Sequence, residues 1–330
     1  MNRRNFIGLG VAAAAFPSAL LAQAEKRRKI YMITWRGNTE VEKGFQNYLM
    51  GKKLPVDFVL RDAGQDVKRI AEFTDEIRQI KPDLVYTWGT SVTLAVVGPW
   101  DKPSNRIGDI PLVFTLVASA AGAKLVPSGP ERGRNIAGVS HMAPLETQIA
   151  AMRSYRAFKR VGVLYNAAEQ NSVAGIKELQ ALSKKQGFDV VPRTFRADAA
   201  GKPVPEGIAQ LVSEIHDAGA EWLYIGPDSY LFTRLQDVAD AANQLKLPTF
   251  ATTEAVVNSS AGVLAGLVSK YYSIGEFTGF KAEQILFKGI PATRVPVETL
   301  SRFSFQIRMA TAKRINFFPP VSLFNYAEFL

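Results

Sequence analysis

From Lys29 onward, short apolar runs alternate with helical patterns almost without a break, and this rhythm limits the fold more than any other feature of the chain. The runs are Ile30–Trp35, Val56–Leu60, Asp83–Trp88, Leu112–Leu116, Ile136–Val139, Val161–Tyr165, Asp189–Phe195, Trp222–Ile225, Thr249–Ala251 and Val263–Leu267. Four to eight apolar residues with β-branched members read as buried parallel strands. Between them lie helical patterns at Thr39–Met50, Val67–Ile80, Val92–Val97, Leu145–Ala157, Val173–Gln186, Glu206–Ala218, Leu231–Leu245 and Ser273–Phe287. Gly51, Gly187 and Gly289 stop three of them. Strand and helix in alternation predict an α/β fold with parallel sheets covered on both faces. A single sheet of about ten strands is near the limit for an open twisted sheet, so two doubly wound sheets of about five are expected. The seam falls at Gly133–Pro144, rich in Gly, Asn and Ser. Two such domains joined by a hinge form a clamp with a ligand cleft between them.

Residues 1–24 read as an export signal outside that fold. Arg3-Arg4 precede an apolar stretch, Phe6–Leu21, and Ala22-Gln23-Ala24 is a cleavage site. Arg-Arg-Asn-Phe-Ile resembles the twin-arginine signal, although Asn2 and Gly8 depart from its flanks and leave the general secretory route open. No later run reaches the roughly 18 apolar residues of a membrane span. The chain has no cysteine, which excludes disulfides, thiolate catalysis and lipid attachment at an N-terminal Cys. A soluble, periplasmic protein without a lipid anchor is therefore expected. The formal charge is +10. The basic residues are scattered apart from Lys26–Lys29, and no basic helix is interleaved with aromatics, so nucleic acid is not an expected partner.

The strands and the turns that follow them carry the stretches IPLVFT (Ile110–Thr115), NIAGVS (Asn135–Ser140), VGVLYN with Asn171-Ser172, and GPD (Gly226–Asp228). Tyr271–Gly275 with its helix, Pro296–Glu298 and Ala312–Arg314 complete an ordered set spanning about Lys29 to Ile315. In this set the chain resembles the periplasmic substrate-binding proteins of ABC transporters, type I fold, in the branch that includes tryptophan- and aromatic-amino-acid-binding proteins. The resemblance implies three crossings between domains. It places 29–138 and 270–290 in the first, 139–269 and 291–313 in the second, and 314–330 in a C-terminal tail. It also implies capture of a small polar organic solute, such as an amino acid or related zwitterion, by domain closure. The partners would be an ABC permease with its ATPase subunit, and the protein a monomer without cofactor. Two departures remove carboxylates that the branch carries near the cleft: Val117-Ala118-Ser119 replaces Thr-Asp-Pro, and Ser140-His141 replaces Ser-Asp.

Ligands of open parallel sheets sit at the carboxyl ends of strands, which selects the candidate residues. Arg36 there is either a bidentate carboxylate clamp or a solvated loop arginine. Thr90 and Ser91 begin a helix, where hydroxyls and backbone N–H groups accept anions or simply cap. Asn166, Asn171 and Ser172 match the family's cleft loop, while Glu169 reads as solvent-facing. Asp228 with Ser229, and Thr253-Glu254, are alternatives for pairing an ammonium; Asp228 could equally cap a helix. Trp35, Trp88 and Tyr271 are either stacking walls or core. His141 is a weak polar candidate and His216 a surface residue. Catalytic signatures are missing: no Gly-x-Ser-x-Gly elbow, no His-Glu-x-x-His and no phosphate loop. Nothing in the sequence positions Ser140, His141 and Asp228 as a hydrolytic set, since neighbours on a strand face opposite ways. The expected function is a binding component and not an enzyme. A ligand sensor for a membrane receptor is the alternative, and an exported hydrolase a more distant one.

Overall fold

The computed structural model describes residues 26–127 and 133–330, so the export signal read at 1–24 lies outside the described residues. The chain runs β1 (Arg28–Thr34), α1 (Glu40–Gly51), β2 (Val56–Asp62), α2 (Ile70–Ile80), β3 (Leu84–Trp88), α3 (Gly89–Val97), β4 (Leu112–Val117) and β5 (Ile136–Ser140). It continues with α4 (Leu145–Tyr155), β6 (Arg160–Tyr165), α5 (Gln170–Gln186), β7 (Asp189–Thr194), α6 (Ile208–Asp217), β8 (Trp222–Ile225), α7 (Ser229–Thr233), α8 (Leu235–Gln244), β9 (Thr249–Ala251), α9 (Glu254–Val257) and β10 (Ala265–Val268). It closes with α10 (Tyr271–Leu286), β11 (Val297–Thr299), β12 (Ser304–Ile307), α11 (Met309–Ile315) and β13 (Glu328–Phe329).

The strands form two sheets. The six-stranded sheet has the order β11-β5-β4-β3-β1-β2, and the seven-stranded sheet has the order β13-β12-β10-β9-β8-β6-β7. All pairs are parallel except β10 with β12. Central strands such as β4 are buried along their whole length, as a sheet covered on both faces requires. The apolar stripe of α2, with Ile70, Phe73 and Ile77, packs into the core of the first sheet.

The sheets are larger than the sequence rhythm suggests because three strands follow Pro296. Strands of two to four residues carry too little periodicity to be read. They also redraw one expected boundary. The resemblance places residues 291–313 in the second domain, yet Val297–Thr299 pair with Gly138–Ser140 in the first sheet. Val139 and Ser140, placed in the second domain, likewise belong to the first sheet. The tail 314–330 is not separate: Glu328–Phe329 pair with Gln306–Ile307 in the second sheet, and the Phe317 ring stacks on Tyr155 at 5.3 Å. The chain thus passes between sheets after β5, before α10 and after β11. Helix α10 returns to the first sheet through close backbone packing on α1, where a Cβ on Gly275 would overlap the Val41 carbonyl. Lys281, on α10 and buried, is held by Glu298 at 2.6 Å and by the Pro296 carbonyl at 2.6 Å, tying α10 to β11.

Candidate functional site

The carboxyl ends of both sheets face a common cleft. It contains two adjoining chambers, one of about 90 Å³ and one of about 420 Å³, with Ala118, Asn171, Gly226, Pro227 and Asp228 in the walls of both. The walls meet across the cleft at places that include two side-chain contacts. The Arg36 guanidinium lies over the Phe232 ring at 4.5 Å, and Ser119 Oγ donates to Glu178 Oε1 at 3.1 Å.

The wall from the first sheet carries polar groups that lack protein partners. Helix α3 follows β3 directly, and its N-cap residue Trp88 provides no side-chain cap. The first-turn N–H groups of a helix have no intrahelical acceptor and carry partial positive charge. Thr90 and Ser91 lie in that turn and line the narrow chamber, and among the described residues neither hydroxyl has a hydrogen bond. Thr93, one turn on, is engaged with Thr87 and the Gly89 carbonyl. Arg36 stacks between Trp88 at 5.2 Å and Phe232, with no ion pair or hydrogen bond among the described residues. Trp88 Nε1 and His141 Nδ1 are buried without a partner. His141 is only 5% exposed, and burial pushes its pKa down to about 4, so it is neutral at physiological pH. A bulge in β4 between Phe114 and Val117 puts Leu116 at φ +51° and into the narrow chamber. That left-handed conformation costs a non-glycine residue about 1 kcal/mol.

The wall from the second sheet is self-contained. Asp228 Oδ2 accepts from Asn166 N and Ser172 Oγ, both at 2.7 Å, and Oδ1 accepts from Leu231 N at 2.8 Å, capping α7. Asn171 Nδ2 donates to the Pro227 carbonyl at 2.5 Å. Glu169 takes Ser229 N at 2.8 Å and Ser229 Oγ at 2.9 Å. Burial first, and the charge of Asp228 second, raise the pKa of Glu169.

The structure therefore brings Trp35, Arg36, Thr90, Ser91, Asn171, Asp228, Ser229, Thr253 and Tyr271 to the narrow chamber. Ser172 lines the wide one alone. Asn166 and Glu254 line neither. Asn166 Oδ1 accepts from Ala168 N in a local turn, and Glu254 Oε2 accepts from Tyr271 N at 2.6 Å, at the start of α10. Glu169, read as solvent-facing, is half-buried against the narrow chamber, because Ser229 draws it inward. An acidic residue in a loop at a strand's carboxyl end was the signal available for it. His141, Leu116 and Phe232 also line this chamber. Ser140 lines the wide chamber and His141 the narrow one, so the two do not converge on a common point.

Two α/β domains facing across a cleft at the carboxyl ends of parallel strands are the fold of the type I periplasmic binding proteins. The chain belongs to the ABC transporter substrate binding protein family, which it matches over residues 36–328. It is 26% identical over 284 residues to a tyrosine-binding protein of Clostridioides difficile, covering 84% of this chain and 76% of that protein. Two solved structures share the fold. One is an ABC domain from Streptococcus pneumoniae in complex with L-Trp, with TM-score 0.75 and 21% identity over 91% of this chain and all (100%) of that one. The other is a ligand-free, open substrate-binding protein with adhesive properties from Clostridium difficile, with TM-score 0.71 and 22% identity over 92% of this chain and 99% of that one.

Proposed function

We propose that this protein is the solute-binding component of an ABC importer. It works in the periplasm without a lipid anchor, as a monomer, and traps an amino acid with an aromatic side chain by closing its two domains. The closed protein then docks on a permease with its ATPase subunit and does no chemistry on the solute. One observation carries the reading: across the narrow chamber, unengaged donors face acceptors with capacity to spare. The α3 N-terminus, Thr90, Ser91 and Arg36 suit a carboxylate. Opposite them, a carboxylate offers about four acceptor positions. Glu169 accepts from Ser229 once on each oxygen, with the Asn171 amide beside it, and Asp228 already accepts from three donors; we take Glu169 as the principal partner for an ammonium and Asp228 as the lesser one. The aromatic preference is drawn from the tyrosine-binding relative. Arg36 on Phe232 and Ser119 on Glu178 are the contacts that closure makes.

The test is a thermal-shift and calorimetric panel on residues 25–330, stripped of carried-over ligand by mild denaturation and refolding. A ligand at about 100 times its Kd stabilises by about 2.7 kcal/mol, which moves the midpoint by a few degrees at this size. Shifts with tyrosine, phenylalanine or tryptophan and not with sugars or dicarboxylates are expected. Folded protein that ignores every amino acid, or that turns one over, overturns the proposal.

A further inference from the structure

The narrow chamber is too small for the whole of an aromatic amino acid. At about 90 Å³ it is smaller than the roughly 150 Å³ cavity that takes one benzene molecule. It fits a carboxylate and an ammonium, and the ring must go elsewhere. The wide chamber, of about 420 Å³, adjoins it across Asn171, Gly226 and Asp228.

The wide chamber is built for an apolar group. The polar atoms of its floor satisfy one another: Tyr224 OH donates to Gln148 Oε1 at 2.7 Å, and Gln148 Nε2 donates to the Ala143 carbonyl at 2.6 Å. None of its lining residues has a buried polar atom without a partner, whereas the narrow chamber has two, Trp88 Nε1 and His141 Nδ1. Its charged lining among the described residues is Asp228, Glu178 and Glu298, with no Lys or Arg. Gly175 stands in the interior of the 17-residue helix α5, where glycine costs about 1 kcal/mol relative to alanine. Neither a positive φ nor a close neighbour requires it, since a Cβ there would meet nothing within 4 Å. What its missing side chain provides is room in the chamber.

We infer that the wide chamber is the side-chain site of the solute and that Gly175 sets its size limit. The solutes selected are α-amino acids carrying a large, uncharged apolar side chain, up to two fused rings, over small or acidic ones. This rests on the reading of the cleft as an amino-acid site. The experiment is calorimetric titration of L-alanine, L-glutamate, L-phenylalanine and L-tryptophan into the stripped protein and into Gly175→Ala and Gly175→Leu. In the unaltered protein, tryptophan and phenylalanine bind at least tenfold tighter than alanine, and glutamate binds weakest. Gly175→Leu weakens tryptophan at least tenfold while alanine changes less than threefold, with folding verified by the thermal midpoint. Gly175→Ala, which adds one methyl to the chamber, raises the midpoint and weakens tryptophan by less than Gly175→Leu does. Amino-acid binding that ignores side-chain size, or tryptophan binding untouched by Gly175→Leu, overturns the chamber assignment and leaves the amino-acid reading standing. No binding of any amino acid by folded protein overturns both.

Discussion

The two walls of the cleft use the same residue types in opposite ways. On the second wall, Asp228 accepts from Asn166, Ser172 and Leu231 and Glu169 accepts from Ser229, so its groups hold one another in place while the two carboxylates keep acceptor capacity to spare. On the first, Thr90, Ser91 and Arg36 have no such partners, and Trp88 Nε1 and His141 Nδ1 are buried unpaired. Buried polar groups normally find hydrogen bonds, and an unmatched one costs about 1–3 kcal/mol. The second wall is therefore a rigid template that holds its shape without ligand. The first leaves polar groups unmatched, which is what the proposed solute site requires. Polarity alone does not separate the two; the location of each group's partner does.

The contrast breaks most readily at Asp228. Replacing it by alanine leaves the Asn166 and Leu231 N–H groups and the Ser172 hydroxyl without their acceptor. Asp228→Ala is expected to cost about 3–5 kcal/mol in urea denaturation. A loss below 1 kcal/mol would mean that the second wall is not held by this carboxylate. His141, on the other wall, gives the next effect, and it depends on pH. Its folded pKa is depressed to about 4 from 6.5, so the unfolded chain takes up the proton first as pH falls. Stability from this group is present above pH 6.5 and is lost as pH falls toward 4, by about 3 kcal/mol. His141→Gln should lose that much less than the unaltered protein between pH 7.5 and 4. Equal losses in both proteins would contradict a neutral, buried imidazole.

A smaller effect tests the first wall directly. The double variant Thr90→Val, Ser91→Ala removes two hydroxyls that make no hydrogen bond among the described residues. Stability should stay within about 0.5 kcal/mol. Affinity for L-tryptophan should fall about thirtyfold, near 2 kcal/mol, the scale of hydrogen bonds to a charged group. Loss of stability without loss of affinity would make these hydroxyls structural and erase the distinction between the walls.

Much of this was legible in the chain and some was not, for definable reasons. Strand–helix alternation located ten of the strands because each is a local apolar run. Strands β11, β12 and β13 were missed because they are two to four residues long and owe their existence to neighbours such as β5 and β10. Helix Leu231–Leu245 was read as one element, but Arg234 divides it into α7 and α8. In the site, the rule that ligands sit at strand ends placed Arg36, Thr90, Ser91 and Asp228 in the cleft. It could not say which polar groups were engaged, because the partners are remote: Asn166 meets Asp228 62 residues on, and Ser229 lies 60 residues from Glu169. The Leu116 bulge has no local sequence signature. Gly175 resembles any other helical glycine until the space around it is seen.

Glu254 gives the smallest effect and the sharpest discrimination of role. It follows β9 on the second wall, yet it lines neither chamber and its carboxylate accepts from Tyr271 N at 2.6 Å. Helix α10 has no cap from its own N-cap residue, Lys270, so Glu254 supplies an acceptor and a negative charge to that helix end. The contact also ties the second wall to the helix that packs on the first sheet through Gly275. Glu254→Ala should cost about 1 kcal/mol of stability, the usual worth of an N-terminal cap, and leave tryptophan affinity within twofold. Glu254→Gln keeps an acceptor and should recover part of the loss. A tenfold fall in affinity with stability unchanged would move Glu254 into the ammonium site and give the second wall an unengaged group of its own.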